Sequence, residues 1–353
     1  MLSGNKGEWS EVYTLIKLLA EGEVYAADAN LQKKADIYYP ILKIIRDELD
    51  NTYHYERNSS IKIKDSASDI LAEVSLSTFQ DKAPKLLDAI KKGEGPSFTI
   101  NAIEDFLKDI QCTTLKAKSS DKRDITLVVH DLITKFKPEL GLSIKSQLGG
   151  KSTLFNASQS TNITFRVQGK NINPSLINEK RGVKGKVKEI YNRGGELVYD
   201  QIENKTFLRN LQVVDSALPK IIGEMAVLYF RGEGKNVKEL VDKLKDSNPC
   251  NYSFGDGHPF YEYKIKSFLN DSAVGLRATE PWLGKYDATG GYLVVREDGE
   301  IVCYHIYNIN EFQDYLLKNT YLDTPSSSRH KFGKIYKEQG QNYIKLNFQI
   351  RFE

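Results

Sequence analysis

The spacing of apolar residues divides the chain into short amphipathic segments. In Gly7–Ala20 (GEWSEVYTLIKLLA), Trp9, Val12, Ile16 and Leu19 recur at helical intervals and predict a helix with that face turned to a core. Leu31–Leu49 repeats the interval at Tyr39, Leu42, Ile45 and Leu49 and predicts a second helix, with Pro40 marking its start. Alternation then takes over. Tyr53–Arg57 and Ser60–Lys64 read as a hairpin around Asn58-Ser59, and Ile70–Leu76 reads as a further strand. Leu86, Leu87 and Ile90 define the inner face of a short helix over Ala83–Lys92. Asn101 caps a helix running to about Gln111, with Glu104 at the capping-box position.

Asp124 then opens an apolar run of Ile125, Leu127, Val128 and Val129. A turn at Lys137-Pro138 leads to a second run, Leu140, Leu142 and Ile144. These predict two antiparallel strands that bring Asp124 and Lys145 side by side. Ile163–Val167 predicts a strand, Lys184–Asn192 a helix stopping at Gly194-Gly195, and Glu196–Ile202 another strand. Leu211–Phe230 and Val237–Lys245 read as helices. Gly290–Tyr307 reads as a hairpin with Asp298-Gly299 as a two-residue turn. Phe312–Leu317 is a short helix, Thr324–Gly333 a loop and Tyr343–Phe352 a final strand. The mixture is that of an α/β (α+β) chain.

At 353 residues the chain can bury a full core, as two domains or one elaborated domain. Its 27% charged and 40% apolar content is that of a soluble globular protein. A net charge of +3 does not demand a nucleic-acid partner, yet lysines and arginines can still cluster on one face. Cys112, Cys250 and Cys303 are scattered and form no CxxC pair, which excludes a zinc ribbon or a disulfide framework and suits a cytoplasmic setting. Neither a signal segment nor a bilayer-length apolar stretch is present, so no membrane partner is expected. Gly149-Gly150-Lys151-Ser152-Thr153 looks like the end of a phosphate-binding loop, but such a loop needs glycine where Lys145 stands.

The chemistry concentrates around Asp124 and Lys145. Asp124 offers the hard oxygens that suit Mg²⁺. Lys145 can orient or deprotonate a water and offset negative charge building at phosphorus. Glu8 and Glu11, three apart, share one face of the first helix. Either both simply favour the helix dipole, or one supplies a further metal carboxylate; Glu11 lies one turn deeper into the apolar face. Lys116, Lys118, Lys122 and Arg123 lead into Asp124 and suit either a phosphate backbone or a solvated loop. Gln147, Lys151 and Ser152 follow the second strand, and Arg329 and His330 stand in the Thr324–Gly333 loop; both sets suit DNA contacts or solvated turns.

Asp124, Ser143 and Lys145 resemble the PD-(D/E)xK nuclease motif, with serine at the position of its middle acid. Six segments, in order along the chain, are similar to the HpaII-type restriction endonucleases. They are NKGEWSEVYTLIKLLAEGEVYAAD (Asn5–Asp28), KAKSSDKRDI (Lys116–Ile125), GLSIKSQLGGKSTLFNAS (Gly141–Ser158), GHPFYEYKIKSFL (Gly257–Leu269), KYDATGGYLVV (Lys285–Val295) and SSSRHKFGKIY (Ser326–Tyr336).

The resemblance implies a nuclease core of mixed sheet and flanking helices over residues 1–170. It implies a mainly helical connecting region over 171–250 and an α+β region contributing to DNA recognition over 251–353. It implies Mg²⁺-dependent cleavage of double-stranded DNA at a short palindrome, CCGG for the family's namesake, with a DNA methyltransferase as genetic partner. A palindromic target makes a homodimer attractive. Asp124, a helix glutamate and the Ile144 carbonyl would hold the metal, and Lys145 would position the attacking water. With Ser143 at the middle position, the missing carboxylate would come from another acid, for which Glu8 and Glu11 on the first helix are the candidates. Two alternatives stay open: a structure-specific repair or junction nuclease, and a non-catalytic DNA-binding protein whose nuclease site has decayed.

Overall fold

A computed structural model of the chain describes residues 2–49, 51–116, 123–132, 135–255, 257–305 and 308–353. They fall into two units, residues 1–152 with 286–315 and residues 153–285 with 316–353.

The first unit packs helices on a sheet. Helix α1 (Lys6–Glu21) starts at Asn5, whose side chain accepts from the Glu8 amide at 3.0 Å while the Glu8 carboxylate accepts from the Asn5 amide at 2.9 Å. It ends at Gly22, whose φ of +80° is the left-handed turn that glycine supplies at helix ends. Trp9, Val12, Leu15, Ile16 and Leu19 are all buried. Burial spreads past the expected stripe because α1 lies between the sheet and helix α2 (Leu76–Lys92).

Nine strands among the described residues form the sheet. They are β1 (Glu23–Ala27), β2 (Lys33–Asp47), β3 (Thr52–Arg57), β4 (Ser60–Lys64), β5 (Ile70–Ser75), β6 (Ile125–Val129), β7 (Glu139–Ser146), β8 (Gly291–Val295) and β9 (Ile301–His305). Their order is β1-β9-β8-β7-β6-β2-β3-β4-β5, and β1 also pairs with β2. The sheet is mixed: β7 runs parallel to β8, and β9 parallel to β1.

The segment expected to form a second helix is strand β2. Its interval of three through Tyr39, Leu42 and Ile45 coexists with an alternating set rich in isoleucine and tyrosine, which suit a pleated surface. Ile41 and Ile44 are buried, whereas Leu49, expected inward, is 67% exposed. Pro40 marks no helix start; it sits where β2 changes neighbour, from β1 (Glu23 opposite Pro40) to β6 (Ile41 opposite Val129). Lacking an N–H, it fits a break in the ladder, and its carbonyl accepts from His130 N at 2.8 Å. The helix expected from Asn101 opens instead as a 3-10 turn, Asn101–Ile103, with no side-chain cap, and continues as Glu104–Asp109.

The β3–β4 and β6–β7 pairs form as expected, with His54 opposite Lys64 and Ile125 opposite Leu142. The expected Gly290–Tyr307 hairpin also forms, as β8 and β9, but a five-residue connection, Arg296–Glu300, stands in place of the two-residue turn at Asp298-Gly299, and Ile306 and Tyr307 lie outside the described residues. However, it joins the first unit's sheet, with Tyr292 beside Ser143 and Val294 beside Lys145. Conversely the Ile163–Gln168 strand, expected to close the first domain, belongs to the second unit. The division therefore differs from three consecutive regions. A parallel pair joins strands that need a long crossover, and no local pattern reports such a partner.

In the second unit, Glu196–Ile202, Ile163–Gln168, Gln341–Leu346 and Ile335–Glu338 make one sheet in that order. Thr153–Phe155, Gln349–Phe352 and Thr320–Asp323 make another. The single strand expected over Tyr343–Phe352 is thus two, in separate sheets. The helix expected over Leu211–Phe230 is also two, Lys205–Val214 and Leu218–Arg231, because Asp215 turns the chain by accepting from Ala217 N at 2.8 Å. Among the described residues no helix is long and apolar enough to cross a membrane.

Candidate active site

The site forms where β6 stops and β7 continues. The ladder between them ends at Ile125 opposite Leu142. Asp124, one residue ahead of β6, donates its amide to the Leu142 carbonyl at 2.8 Å. Its carboxylate then occupies the edge of β7 that β6 leaves open. Asp124 Oδ2 accepts from the Ile144 amide at 2.7 Å and from the Ser143 hydroxyl at 2.9 Å. The Ser143 oxygen accepts in turn from Lys145 Nζ at 2.9 Å. Strand alternation puts Ser143 and Lys145 on one face, so one hydroxyl links the carboxylate to the ammonium. Among the described residues nothing donates to Asp124 Oδ1.

Burial pushes the Lys145 ammonium below its ordinary pKa; the Asp124 and Glu11 carboxylates partly counter this, and Lys116 adds to it. The lysine sits over an aromatic ring, with Nζ 5.0 Å from the centroid of Tyr292. Burial holds the Tyr292 phenol well above its usual pKa, Tyr315 and Asp124 adding to the effect, so the ring is a neutral partner for the cation.

The two helix glutamates separate in role. The Glu8 carboxylate is engaged by the Asn5 amide in the helix cap. Glu11, half-buried and one turn on, acts electrostatically on both Lys145 and the buried Arg46. Helix α1 is fixed at this level by a hydrogen bond of 2.7 Å between the hydroxyls of Ser10 and Ser146, the residue after Lys145. Arg46, only 2% exposed, pairs with Glu48 and donates to Cys112 Sγ at 2.9 Å and to the carbonyls of Thr114 and Leu115 at 2.8 and 3.0 Å. It thereby fastens the stretch leading to the basic segment. Lys116 and Arg123 are exposed, while Lys118 and Lys122 lie outside the described residues.

Among the described residues no three His, Cys, Asp or Glu side chains gather as a metal site. The oxygens that could serve are of another kind: Asp124 Oδ1, the Glu11 carboxylate and a backbone carbonyl. The Ile144 amide points at Asp124, and a strand residue directs its carbonyl to the same edge as its amide. Hard oxygens of this kind fit Mg²⁺ better than zinc.

The expected DNA-contact residues are distributed over both units. Gln147 is half-buried, with its amide donating to the Val295 carbonyl at 2.9 Å. Lys151 is exposed and Ser152 half-buried. Arg329 and His330 belong to the second unit and lie on a helical turn, Ser327–His330, rather than an open loop. Their carbonyls accept from Gln159 Nε2 at 3.5 Å and Asn162 Nδ2 at 2.9 Å, which leaves the Arg329 side chain exposed. Burial and the neighbouring Arg329 push the His330 imidazole below its ordinary pKa.

Sequence reasoning missed Tyr292 and Arg46. Tyr292 stands in a clear strand, but its place beside Ser143 depends on a parallel pairing that leaves no local trace. Arg46 stood in a segment read as a helix. A charged residue within an alternating apolar run was the available signal.

The family model described as HpaII restriction endonuclease matches residues 5–352. The chain is similar to a protein of Haemophilus parainfluenzae, "Type II restriction enzyme HpaII", at 48% identity over 353 residues, 99% of this chain and 98% of the relative. No solved structure matches the chain.

Proposed function

The chain belongs to the HpaII restriction endonuclease family and is a type II site-specific deoxyribonuclease, and from that premise we propose that Asp124, Ser143 and Lys145 are the core of a Mg²⁺-dependent phosphodiester hydrolase of the PD-(D/E)xK kind. The observation that carries the proposal is the unbroken run of hydrogen bonds from Asp124 through Ser143 to the half-buried Lys145. Asp124, Glu11 and the Ile144 carbonyl would hold Mg²⁺, which when bound would supply charge neutralisation and a more acidic water.

Lys145 carries its proton less firmly than a solvated lysine, because burial disfavours the charged form. It is therefore suited to holding the attacking water and to offsetting the charge that builds on the phosphoryl oxygens. Ser143 acts through its neighbours. It supplies no strong metal ligand, but it fixes the lysine and steadies the aspartate. Its engagement with both groups argues against a decayed site. Tyr292 carries the lysine from beneath. The products would be 5′-phosphate and 3′-hydroxyl ends, the target a CCGG-type palindrome, and the partners duplex DNA, a second copy of the chain and a methyltransferase of the same system.

Digestion of a plasmid of known sequence with the purified chain and Mg²⁺, followed by sequencing of the ends, tests the reaction and the target together. Cleavage at CCGG that stops on chelation is the expected result. Cleavage at another sequence removes the CCGG assignment, and full activity in chelator removes the metal.

A further inference from the structure

We propose that a lysine-lined groove in the second unit, between the helix Gly182–Asn192 and the segment around Ser327–Tyr336, grips the phosphate backbone of duplex DNA. The inference rests on the reading of duplex DNA as the substrate, and assigns that substrate a contact surface.

Lys186, Lys331, Lys334 and Lys345, with Ser327 and Ser328, line a groove of about 580 Å³ that includes no carboxylate among its described lining residues. Lys345 is neutralised by Glu203 at 2.7 Å. Lys186, Lys331 and Lys334 have no acidic partner within ion-pair distance among the described residues. Burial and the charge of Lys334 both weaken the hold of Lys186 on its proton, so like charges are being kept close together. Folding alone gives no reason for that arrangement, whereas an anion bound between the lysines does.

The groove is also stiff. Gly333 has a φ of +80°, and a Cβ built on it would lie 2.4 Å from Val183 Cγ2 on the helix that bears Lys186. The Gly333 amide donates to the Lys345 carbonyl at 2.8 Å. Asn178 and the backbone of Ile335 exchange hydrogen bonds of 2.9 and 2.8 Å just beyond. The segment that carries Lys331 and Lys334 is thus docked through its backbone against the helix that bears Lys186. The chemistry selects backbone rather than bases. Ammonium and hydroxyl donors match phosphate oxygens, and the groove carries none of the Arg, Asn or Gln groups that read base edges in pairs.

The test is fluorescence anisotropy of a labelled duplex titrated with the full chain, without divalent metal, across a range of salt concentrations. Lys186→Gln/Lys331→Gln/Lys334→Gln is compared with Lys243→Gln/Lys245→Gln, which neutralises exposed lysines outside the groove. The triple variant should bind more weakly, and its slope of log affinity on log salt should flatten by roughly one for each phosphate that is no longer neutralised, up to about three. The weakening should be equal for duplexes with and without CCGG, and the control should keep the wild-type slope. If the triple variant melts early, Lys334→Gln alone should still flatten the slope by about one. An unchanged slope in the groove variants overturns the proposal while leaving the nuclease reading intact, as does an equal weakening in the control. Failure of the wild-type chain to bind any duplex overturns both.

Discussion

Replacing Ser143 by alanine removes one oxygen and, with it, two hydrogen bonds to charged groups. Ser143 Oγ donates to Asp124 Oδ2 and accepts from Lys145 Nζ, each at 2.9 Å. Asp124 keeps a second donor, the Ile144 amide at 2.7 Å, so its carboxylate stays anchored. Lys145 loses the acceptor that aims it. A hydrogen bond to a charged group contributes about 1.5–3 kcal/mol. If that bond holds Lys145 in its transition-state position, its loss slows cleavage by about 10- to 150-fold, at about 1.4 kcal/mol per tenfold.

Single-turnover cleavage of a labelled duplex with enzyme in excess measures this directly, with binding followed separately in metal-free buffer. A second readout isolates the lysine. Without its acceptor the ammonium form is less favoured, so the limb of the pH–rate profile set by Lys145 should move to lower pH. A rate within about threefold of wild type, with an unmoved profile, refutes the reasoning: the serine would then be a packing residue and the lysine would be aimed by something else.

Lys145→Ala should keep duplex binding and lower single-turnover cleavage by on the order of 10²–10³ or more, as removal of a preorganised donor does; wild-type nicking would take Lys145 out of the mechanism. Glu11→Gln should raise the Mg²⁺ concentration needed for half-maximal cleavage, whereas Glu8→Gln should lower the melting temperature by weakening a cap worth about 0.5–2 kcal/mol; a metal titration and a thermal melt on both variants distinguish these, and reversed effects would exchange their roles. Acid should weaken the fold through His305, a residue 1% exposed whose imidazole burial holds down to about 4, partly countered by Asp131. The unfolded chain takes up this proton near pH 6.5 and the folded chain only near 4, so this stability is complete above 6.5 and declines by up to about 3 kcal/mol as pH falls to 4. Denaturant midpoints at pH 7 and 4.5 should show a loss in wild type that is smaller in His305→Gln; equal losses would place the acid sensitivity elsewhere.

Much of the local architecture could be read directly from the residues. The limits of α1, the β3–β4 and β6–β7 pairs and the β8–β9 hairpin all follow from apolar intervals and turn residues, because each is formed by neighbours in the chain. The meeting of Asp124 with Ser143 and Lys145 belongs to that class: antiparallel strands consecutive in the chain bring them together. Where two periods coexisted in one segment the local signal gave the wrong answer, as at β2, since the choice between helix and strand fell to the partners on either side. Only tertiary structure decided that Tyr292 lies under Lys145, that the Glu8 carboxylate is engaged in the helix cap while Glu11 acts electrostatically on Lys145, and that Lys186 shares a groove with Lys331 and Lys334. Each of these joins surfaces far apart in sequence, and such pairings are chosen by the burial and charge of the whole fold, not by the spacing of residues within any one segment.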